Sequence, residues 1–418
     1  MKSRQSAAGV AWLLAALYYS YQYALRSAPA VMIPQLAGAF GITSVAVASL
    51  AGVFYYGYGP FSLVAGAAID RMGAKVVASL GALATAAGAL LFVAGGEVSA
   101  NLGRFLQGAG GAFAMVAAIY IATKNFPASR AATLTGLAQT FGMAGGSAGQ
   151  FVVGPMIAAG IPWTGFWTGM AAAGVVLAVA LFTVIPKQEA APRSRAWIKS
   201  TAAAFWTVSK NPQSILSGLI GGLLFLPTNI LAMTWGVSFL QSVYGFEYGE
   251  AVLRSATVPV GWIIGCPLLG WLSDRLGRRK PVMLGGAALL LACLAWTLYG
   301  HAGVLPPYVV GIAAGIGSGA AMIPYSVIKE SNPPNLSGTA TGWISFVIFT
   351  FSAVLGPVFG WIMQFVSRGG EAGAANYQTT FAPMLYGVAL AIVLIFALKE
   401  TGPAAHTSSA AATALEHA

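Results

Sequence analysis

Long apolar runs separated by short polar breaks fill almost the whole chain. Cutting the sequence at charges, prolines and Gly-Gly pairs leaves twelve runs, most of them at least the ~20 residues that a helix needs to cross a hydrocarbon core. No strand-like alternation of about ten residues accompanies them, so the pattern predicts an all-α integral membrane protein with twelve transmembrane helices. The runs lie at 9–36, 44–68, 75–95, 99–123, 131–159, 163–186, 212–243, 250–273, 281–300, 304–328, 339–366 and 378–398.

Composition narrows the protein class further. Of the 418 residues, 57% are apolar and only 7% are charged. A soluble domain carries about 25% charged residues, so a soluble fold is excluded. Cys266 and Cys293 both lie in apolar runs, and the three histidines form no cluster. The sequence therefore predicts neither a disulfide framework nor a metal site nor a cofactor, and without a P-loop or catalytic triad we expect no enzyme activity.

The net charge of +11 is spread unevenly along the chain. Of the 21 Lys and Arg residues, 17 fall in the terminal segments or in the loops that follow even-numbered runs, which all lie on one side of the membrane. This asymmetry predicts that both termini are cytoplasmic in an inner (plasma) membrane. The positive charge then reflects topology in a lipid bilayer, and no nucleic-acid partner is expected.

One long polar stretch divides the runs six and six. We expect an N-terminal half at 1–186, a cytoplasmic central loop at 187–211, a C-terminal half at 212–400 and a disordered tail at 401–418. The halves repeat each other. The repeated loop reads Gly66-Ala-Ala-Ile-Asp70-Arg71-Met-Gly73 after the second run and Gly270-Trp-Leu-Ser-Asp274-Arg275-Leu-Gly277 after the eighth.

This duplicated loop resembles the signature loop of the major facilitator superfamily. The stretch Arg104-Phe-Leu-Gln107-Gly108-Ala-Gly110 resembles the motif of that superfamily's fourth span, and the resemblance covers roughly residues 9–400. It implies two pseudo-symmetric six-helix halves and secondary transport by alternating access.

A finer resemblance concerns the first run. The stretch from Tyr18-Tyr19 through Arg26 to Met32-Ile33-Pro34 is similar to the first span of the organophosphate:phosphate antiporter family, which implies that Arg26 binds substrate. Where that family carries a second arginine and a histidine, this chain has Asn229 and Gln139 or a near neighbour. One arginine with amides favours a monoanionic carboxylate over a phosphate ester.

The residues themselves also indicate an anion site at Arg26. A charge ~24 Å along the first run is costly to bury, and a guanidinium in low dielectric favours a carboxylate. Tyr19, Tyr23 and Arg26 share one helix face. The alternatives are a side chain that snorkels to the interface or pairs with backbone carbonyls. The other predicted substrate-binding residues are polar or aromatic groups inside apolar runs: Tyr55, Tyr56, Tyr58, Gln139, Asn229 and Trp235.

Charged residues near the ends of runs are candidate gating groups. A carboxylate at the end of a helix can accept backbone N–H groups or pair with arginine, and glycine permits a tight reversal. We expect Glu330 to pair with a basic residue of the loop between the eighth and ninth runs, and Arg254 to pair with Glu250 one turn before it. Arg104 is open to a gating or proton-relay role, a structural pair or an interfacial position. The predicted gating set is Asp70, Arg71, Gly73, Arg104, Asp274, Arg275, Gly277 and Glu330. The alternative is that the two loops only fix topology.

The predicted function is secondary transport of a small organic anion by a monomer, with a coupling ion or counter-substrate left open. No Asp or Glu falls in the middle of a run, which counts against the rival drug/H+ antiporter, since that would favour a buried acid. A transporter of a neutral solute and a membrane sensor that does not translocate its solute remain alternatives.

Overall fold

The computed structural model describes residues 2–126, 128–187, 197–301, 308–368 and 372–402. These residues form helices and contain no strand. The α-helices are α1 (Lys2–Ser27), α2 (Ile33–Phe40), α3 (Ser44–Val93), α4 (Glu97–Asn125), α5 (Ala128–Phe151), α6 (Val153–Ala158), α7 (Trp163–Val184), α8 (Trp197–Lys210), α9 (Pro212–Leu226), α10 (Gly236–Tyr244), α11 (Tyr248–Leu276), α12 (Lys280–Tyr299), α13 (Val309–Ser318), α14 (Ile323–Glu330), α15 (Ser337–Ser367) and α16 (Ala374–Ala397).

The helices confirm the predicted all-α membrane class. Within the described ranges, nine helical segments are long and apolar enough to cross a membrane, and a tenth is counted if α2 and Ser44–Gly66, bent by 100° relative to each other, form one span. With α1 and the α5–α6 pair, these segments are consistent with the twelve predicted spans.

The first predicted span, 9–36, is not one straight helix. α1 ends at Ser27, a short 3-10 helix follows at Ala28–Val31, and α2 begins at Ile33. Pro29 and Pro34 explain the break, because proline lacks the N–H that continues a helix and restricts the residue before it. Arg26 therefore lies in the last turn of α1, next to this break.

Both repeated loops reverse at glycine, as predicted. Gly73 has φ 80° and ψ 152° and interrupts α3, so that α3 is two spans joined by a tight turn. Gly277 has φ 61° and caps α11 through its N–H, which donates to the Asp274 carbonyl oxygen at 3.1 Å. Residues with a Cβ rarely adopt a positive φ, so glycine suits both positions.

Two predicted segments differ in the structure. The central loop contains a helix, α8, and its Ser209 hydroxyl accepts a hydrogen bond from the Trp343 indole at 2.7 Å. The run at 212–243 is interrupted by a π-helical segment, Pro227–Trp235, between α9 and α10. Of the tail predicted to be disordered, Thr401 and Gly402 are described, and 403–418 lie outside the described residues.

The halves contact each other along two helix pairs, α3 with α15 and α5 with α11. At the end of the bundle where α1 gives way to α2, the Tyr248 hydroxyl donates to the Val31 carbonyl oxygen at 2.5 Å. Deeper in the bundle, the Gln150 amide donates to the Ala232 carbonyl oxygen at 3.3 Å. Arg26 of α1 also reaches across to the C-terminal half, where its Nη2 lies 3.9 Å from the Met233 sulfur, so the interface between the halves includes the face of α1 that carries Arg26.

Candidate functional site

Arg26 lies at the interface of the two halves and is surrounded by aromatic rings. Its side chain is 3% exposed, which excludes snorkelling to the membrane surface. The guanidinium carbon lies 3.6 Å from the ring centroid of Tyr23 and 5.9 Å from that of Tyr55, both in the N-terminal half. In the C-terminal half, Phe349 and Phe225 lie 5.7 and 6.0 Å away. The rings attract the cation through their faces but offer it no counter-charge.

Most of the hydrogen-bonding capacity of Arg26 is unused. Nη2 lies 3.9 Å from the Met233 sulfur, a weak acceptor, and Nε and Nη1 have no partner. The ion pairs found among the described residues involve Arg254 and Arg279, and none involves Arg26. A buried charge normally finds a partner. The pocket is therefore suited to an anion that supplies one.

Two predicted amides also keep an unused acceptor. Asn229 donates to the Ser352 hydroxyl at 3.0 Å, and its Oδ1 has no partner. Gln139 donates to the Met322 sulfur at 3.2 Å across the two halves, and its Oε1 is likewise unmatched. These oxygens can accept hydrogen bonds from hydroxyl or amine groups of a solute.

The predicted tyrosines separate into two groups. Tyr19 donates to the Tyr23 hydroxyl at 3.3 Å, which brings both to the face of Arg26. Tyr55 and Tyr58 are buried and pack on Phe349, with centroid distances of 6.2 and 4.2 Å. Tyr56 is 43% exposed. The structure therefore does not bring Tyr56 into the buried cluster around Arg26, and its contact with solute stays a prediction.

Trp235 is also not part of the cluster around Arg26. It is buried and makes edge contacts with Tyr377 and Phe381 of α16, at centroid distances of 6.3 and 6.0 Å. The last residue of the π-helical segment thus packs within the C-terminal half. The structure does not place Trp235 beside Arg26, and its predicted contact with solute stays a prediction.

The π-helical segment was not predicted, although it carries Asn229 and Met233. Pro227 at its start lacks an N–H and cannot continue the α-helical hydrogen bonding of α9. The Thr234 hydroxyl donates to the Asn229 carbonyl oxygen at 3.0 Å inside the segment. π-Helical turns are frequent at functional sites, and this one faces Arg26 through Met233.

Arg104 is completely buried and binds main-chain oxygens. Nη1 donates to the Leu25 carbonyl at 2.9 Å and to Gln107 Oε1 at 2.7 Å, and Nη2 donates to the Ala51 carbonyl at 3.0 Å. An interfacial position is therefore excluded. Arg104 joins α4 to α1 and α3 and holds the backbone next to Arg26, while its predicted gating role stays a prediction.

A second charged cluster lies at the end of the bundle where α11 and α14 end. Arg279 donates from Nη1 to Asp274 Oδ1 at 2.5 Å and from Nη2 to Glu330 Oε1 at 2.6 Å. The predicted pairing of Glu330 with a basic residue of this loop is confirmed. Burial opposes the charge of Arg279, but its bonds to Glu330 and Asp274 outweigh burial and raise its pKa.

The sequence did not specify which basic residue of this loop pairs with Glu330, and the gating role predicted for Arg275 stays a prediction. Arg275 is exposed and stacks on Trp271, with its guanidinium carbon 5.2 Å from the ring centroid. Arg279 is the residue that pairs with Glu330 and Asp274. The basic residues after Gly277 indicate that a cation is present in this loop. Only the direction of α12 shows that Arg279 is the one that contacts the carboxylates of Asp274 and Glu330.

Glu400 completes this cluster and was also missed. Its carboxylate accepts the backbone N–H groups of Arg279 at 2.6 Å and Lys280 at 3.1 Å, at the start of α12. Burial acts to raise the pKa of Glu400, but the backbone hydrogen bonds outweigh burial and lower it. Next to it, the Thr401 hydroxyl donates to Glu330 Oε2 at 2.7 Å. The segment after α16 is therefore hydrogen-bonded to the start of α12 and to Glu330.

The other predicted charges have simpler outcomes. Arg254 pairs with Glu250 at 2.7 Å, which confirms the predicted i,i+4 pair. Arg71 is exposed at the end of the second span. The side chain of Asp70 lies outside the described part of the chain, so its gating role stays a prediction.

The sequence matches the family model described as Major Facilitator Superfamily over residues 15–357. Among curated proteins, it is 28% identical over 163 residues to the gentisate transporter of Corynebacterium glutamicum and 25% identical over 196 residues to the alpha-ketoglutarate permease of Bacillus subtilis. It is also 26% identical over 180 residues to the arabinose-proton symporter of Bacillus subtilis. The matches cover 38%, 45% and 43% of this chain, and 35%, 42% and 37% of those relatives, respectively.

Solved structures share the fold over nearly the whole chain. A bacterial homologue of the human lysosomal transporter Spinster has a TM-score of 0.71 at 16% identity, with 94% of this chain and 97% of that chain covered. A D-xylose-proton symporter has a TM-score of 0.66 at 16% identity, with 93% and 96% covered. The predicted all-helical membrane fold is thus confirmed, and the twelve predicted spans are consistent with it.

Proposed function

Because the chain belongs to the Major Facilitator Superfamily, we propose that it is a secondary transporter of small organic anions, with Arg26 as the group that binds the anion. The observation that carries the proposal is the buried guanidinium of Arg26, which has two unmatched nitrogens and no ion pair. An anion docked there recovers interactions that the aromatic rings cannot provide.

A carboxylate fits this pocket better than a phosphate ester. One guanidinium matches a single negative charge, and its planar fork matches the two oxygens of a carboxylate. The neighbouring amides of Asn229 and Gln139 add acceptor oxygens instead of a second positive charge. Two of the relatives are named for carboxylates, gentisate and alpha-ketoglutarate, which supports the same solute class.

We further propose alternating access as the mechanism. The residues around Arg26 come from both halves, so that a rocking motion of one half against the other would expose the pocket to each side in turn. In this proposal the protein works as a monomer, and the loops rich in Lys and Arg face the cytoplasm.

A neutral polyhydroxylated solute is the second candidate. The unmatched oxygens of Asn229 and Gln139 can accept hydrogen bonds from sugar hydroxyls, and one relative is named for arabinose. In that case Arg26 would donate to hydroxyl oxygens, and replacing its charge would matter less than replacing either amide.

Ligand-dependent thermal stability of the purified protein distinguishes the two candidates. A solute that binds the folded state raises its melting temperature by mass action. The screen compares monocarboxylates, phosphate esters and neutral sugars on the wild type, on Arg26→Lys and on Arg254→Lys. Arg254 is a matched control because its guanidinium already pairs with Glu250.

We expect carboxylates to stabilise the wild type and Arg254→Lys. Lysine keeps the charge but loses the planar fork, and a charge-assisted contact contributes ~1.5–3 kcal/mol, so carboxylate affinity of Arg26→Lys should fall about tenfold to hundredfold. A folded Arg26→Lys protein with wild-type carboxylate affinity contradicts the proposal. Stabilisation by sugars alone supports the neutral candidate.

A further inference from the structure

A cavity of about 140 Å³, partly open to the outside, lies between helices of the C-terminal half and shares no lining residue with the cluster around Arg26. It is lined by α10, α11, α12, α13 and the π-helical segment Pro227–Trp235, and its opening to the outside lies at Trp296, His301 and Tyr308. Much of its wall is aliphatic or aromatic: Leu231, Phe239, Leu240, Val258, Leu290 and Leu294.

The buried polar groups on the wall of this cavity have partners, and His301 and Tyr308 lie at its exposed rim. The Ser255 hydroxyl donates to the Ala232 carbonyl at 2.8 Å, and the Thr297 hydroxyl donates to the Cys293 carbonyl at 2.8 Å. Arg254 at the rim is held by Glu250. None of the lining residues that the structure describes carries a buried side-chain nitrogen or oxygen without a partner. The cavity therefore differs from the pocket of Arg26, which keeps unmatched polar atoms.

One wall of the cavity is shared with the pocket of Arg26. Leu231 and Ala232 of the π-helical segment line the cavity. Asn229 and Met233 of the same segment reach Ser352 and Arg26, respectively. A molecule in the cavity would therefore pack against the backbone that positions two groups near the solute.

We propose that this cavity binds an uncharged hydrocarbon group and that its occupation stabilises the π-helical segment. An apolar cavity without unmatched polar groups does not hold water well and accepts apolar guests. An apolar small molecule and the acyl chain of a membrane lipid supply the same chemistry. The proposal does not depend on the charge of the transported solute.

Photolabelling of the purified full-length protein in lipid nanodiscs tests the site. Two probes distinguish the sources: a free adamantane carrying a diazirine, and a phosphatidylcholine with a diazirine in its acyl chain. Leu294→Trp fills the cavity from α12. Leu289→Trp is the matched control, because Leu289 lies on the same helix with 38% of its surface exposed.

We expect one of the probes to label Val258 or Leu290 in the wild type and in Leu289→Trp, and this labelling to be lost in Leu294→Trp. Labelling by the lipid probe identifies an acyl chain, and labelling by adamantane alone identifies a small apolar molecule. If Leu294→Trp does not fold, Ala314→Leu narrows the same cavity from α13 and should reduce the labelling. Labelling confined to outward-facing residues, or unchanged by the filling variants, overturns the site.

Hydrogen exchange tests the effect on the π-helical segment. The probe that labels the cavity should slow amide exchange at 228–235 in the wild type and have no effect on these amides in Leu294→Trp. If the bound probe does not change amide exchange at 228–235, the proposed stabilisation is overturned.

Discussion

Arg279 donates a 2.6 Å hydrogen bond to Glu330, although the two residues are 51 positions apart. The same guanidinium binds Asp274, the last acidic residue of α11, so one side chain joins the ends of α11 and α14 to the start of α12. Arg279 is nearly buried, with 9% of its side chain exposed, and both carboxylates depend on it.

Replacing Arg279 should destabilise the C-terminal half. Arg279→Gln leaves Glu330 and Asp274 without their cation, and the expected loss is about 1–3 kcal/mol in the free energy of unfolding. Thermal unfolding of the purified protein measures this loss. Arg275→Gln, in the same loop but exposed on Trp271, is the control and should unfold near the wild-type temperature. Equal effects of both variants would show that the Arg279 pairs do not stabilise the fold.

Asp274→Asn tests whether this cluster acts in gating. Asparagine keeps the shape of Asp274 but weakens its pair with Arg279, while the pocket of Arg26 is unchanged. We expect slower transport into proteoliposomes with unchanged solute affinity in a thermal-shift titration. Normal turnover of a normally expressed Asp274→Asn protein would remove the gating role and leave the loop a topological one.

The stability of the protein should depend on Glu400 at acid pH. Because the pKa of Glu400 is lowered in the folded state, its stabilising effect is complete above the unfolded-state pKa of ~4.3 and is lost as the pH falls through the folded-state pKa. Glu400→Gln should therefore lower the melting temperature at neutral pH and flatten its decline below about pH 4.

Melting curves at a series of pH values measure this effect. Glu97→Gln, which changes an exposed carboxylate at the start of α4, serves as the control and should leave the acid decline as steep as in the wild type. An equally steep decline in Glu400→Gln would mean that other carboxylates cause the acid sensitivity.

Topology mapping checks the proposed orientation. A reporter at Ser200 should read cytoplasmic, and one placed at Gly303 should read the opposite side, because the Lys and Arg residues concentrate on the side of Ser200. A Ser200 reporter on the outside would reverse the orientation, and two reporters on the same side would contradict the span count between them.

Much of the fold follows from local sequence. The lengths of the apolar runs predict the spans, and Gly73 and Gly277 predict the tight reversals, because both depend on properties of the segment itself. Arg26 stands out because a charge deep in an apolar run is rare whatever surrounds it. The pairing of Glu330 was also predictable, because its position at the end of a span leaves only a few basic residues within reach.

The parts that sequence did not predict depend on how helices are rotated and where distant segments meet. Tyr55 and Tyr56 are neighbours on α3, and only the packing of α3 against α15 decides that Tyr55 faces inward. Arg275 and Arg279 belong to one basic loop, and the course of α12 selects Arg279. Glu400 lies beyond the last span, so its contact with the start of α12 exists only in the assembled bundle.

Arg104 illustrates how a buried contact can be independent of neighbouring side chains. Two of its acceptors, the carbonyl oxygens of Leu25 and Ala51, belong to the peptide backbone and would be present with any amino acid at those positions. Substitution at 25 or 51 cannot delete these acceptors. A shift of α1 along α3, in contrast, would move the two carbonyl oxygens apart, so that Arg104 could no longer bind both. These two bonds therefore depend on the spacing of α1 and α3 and not on the side chains at 25 and 51, whereas the third bond requires the Gln107 amide.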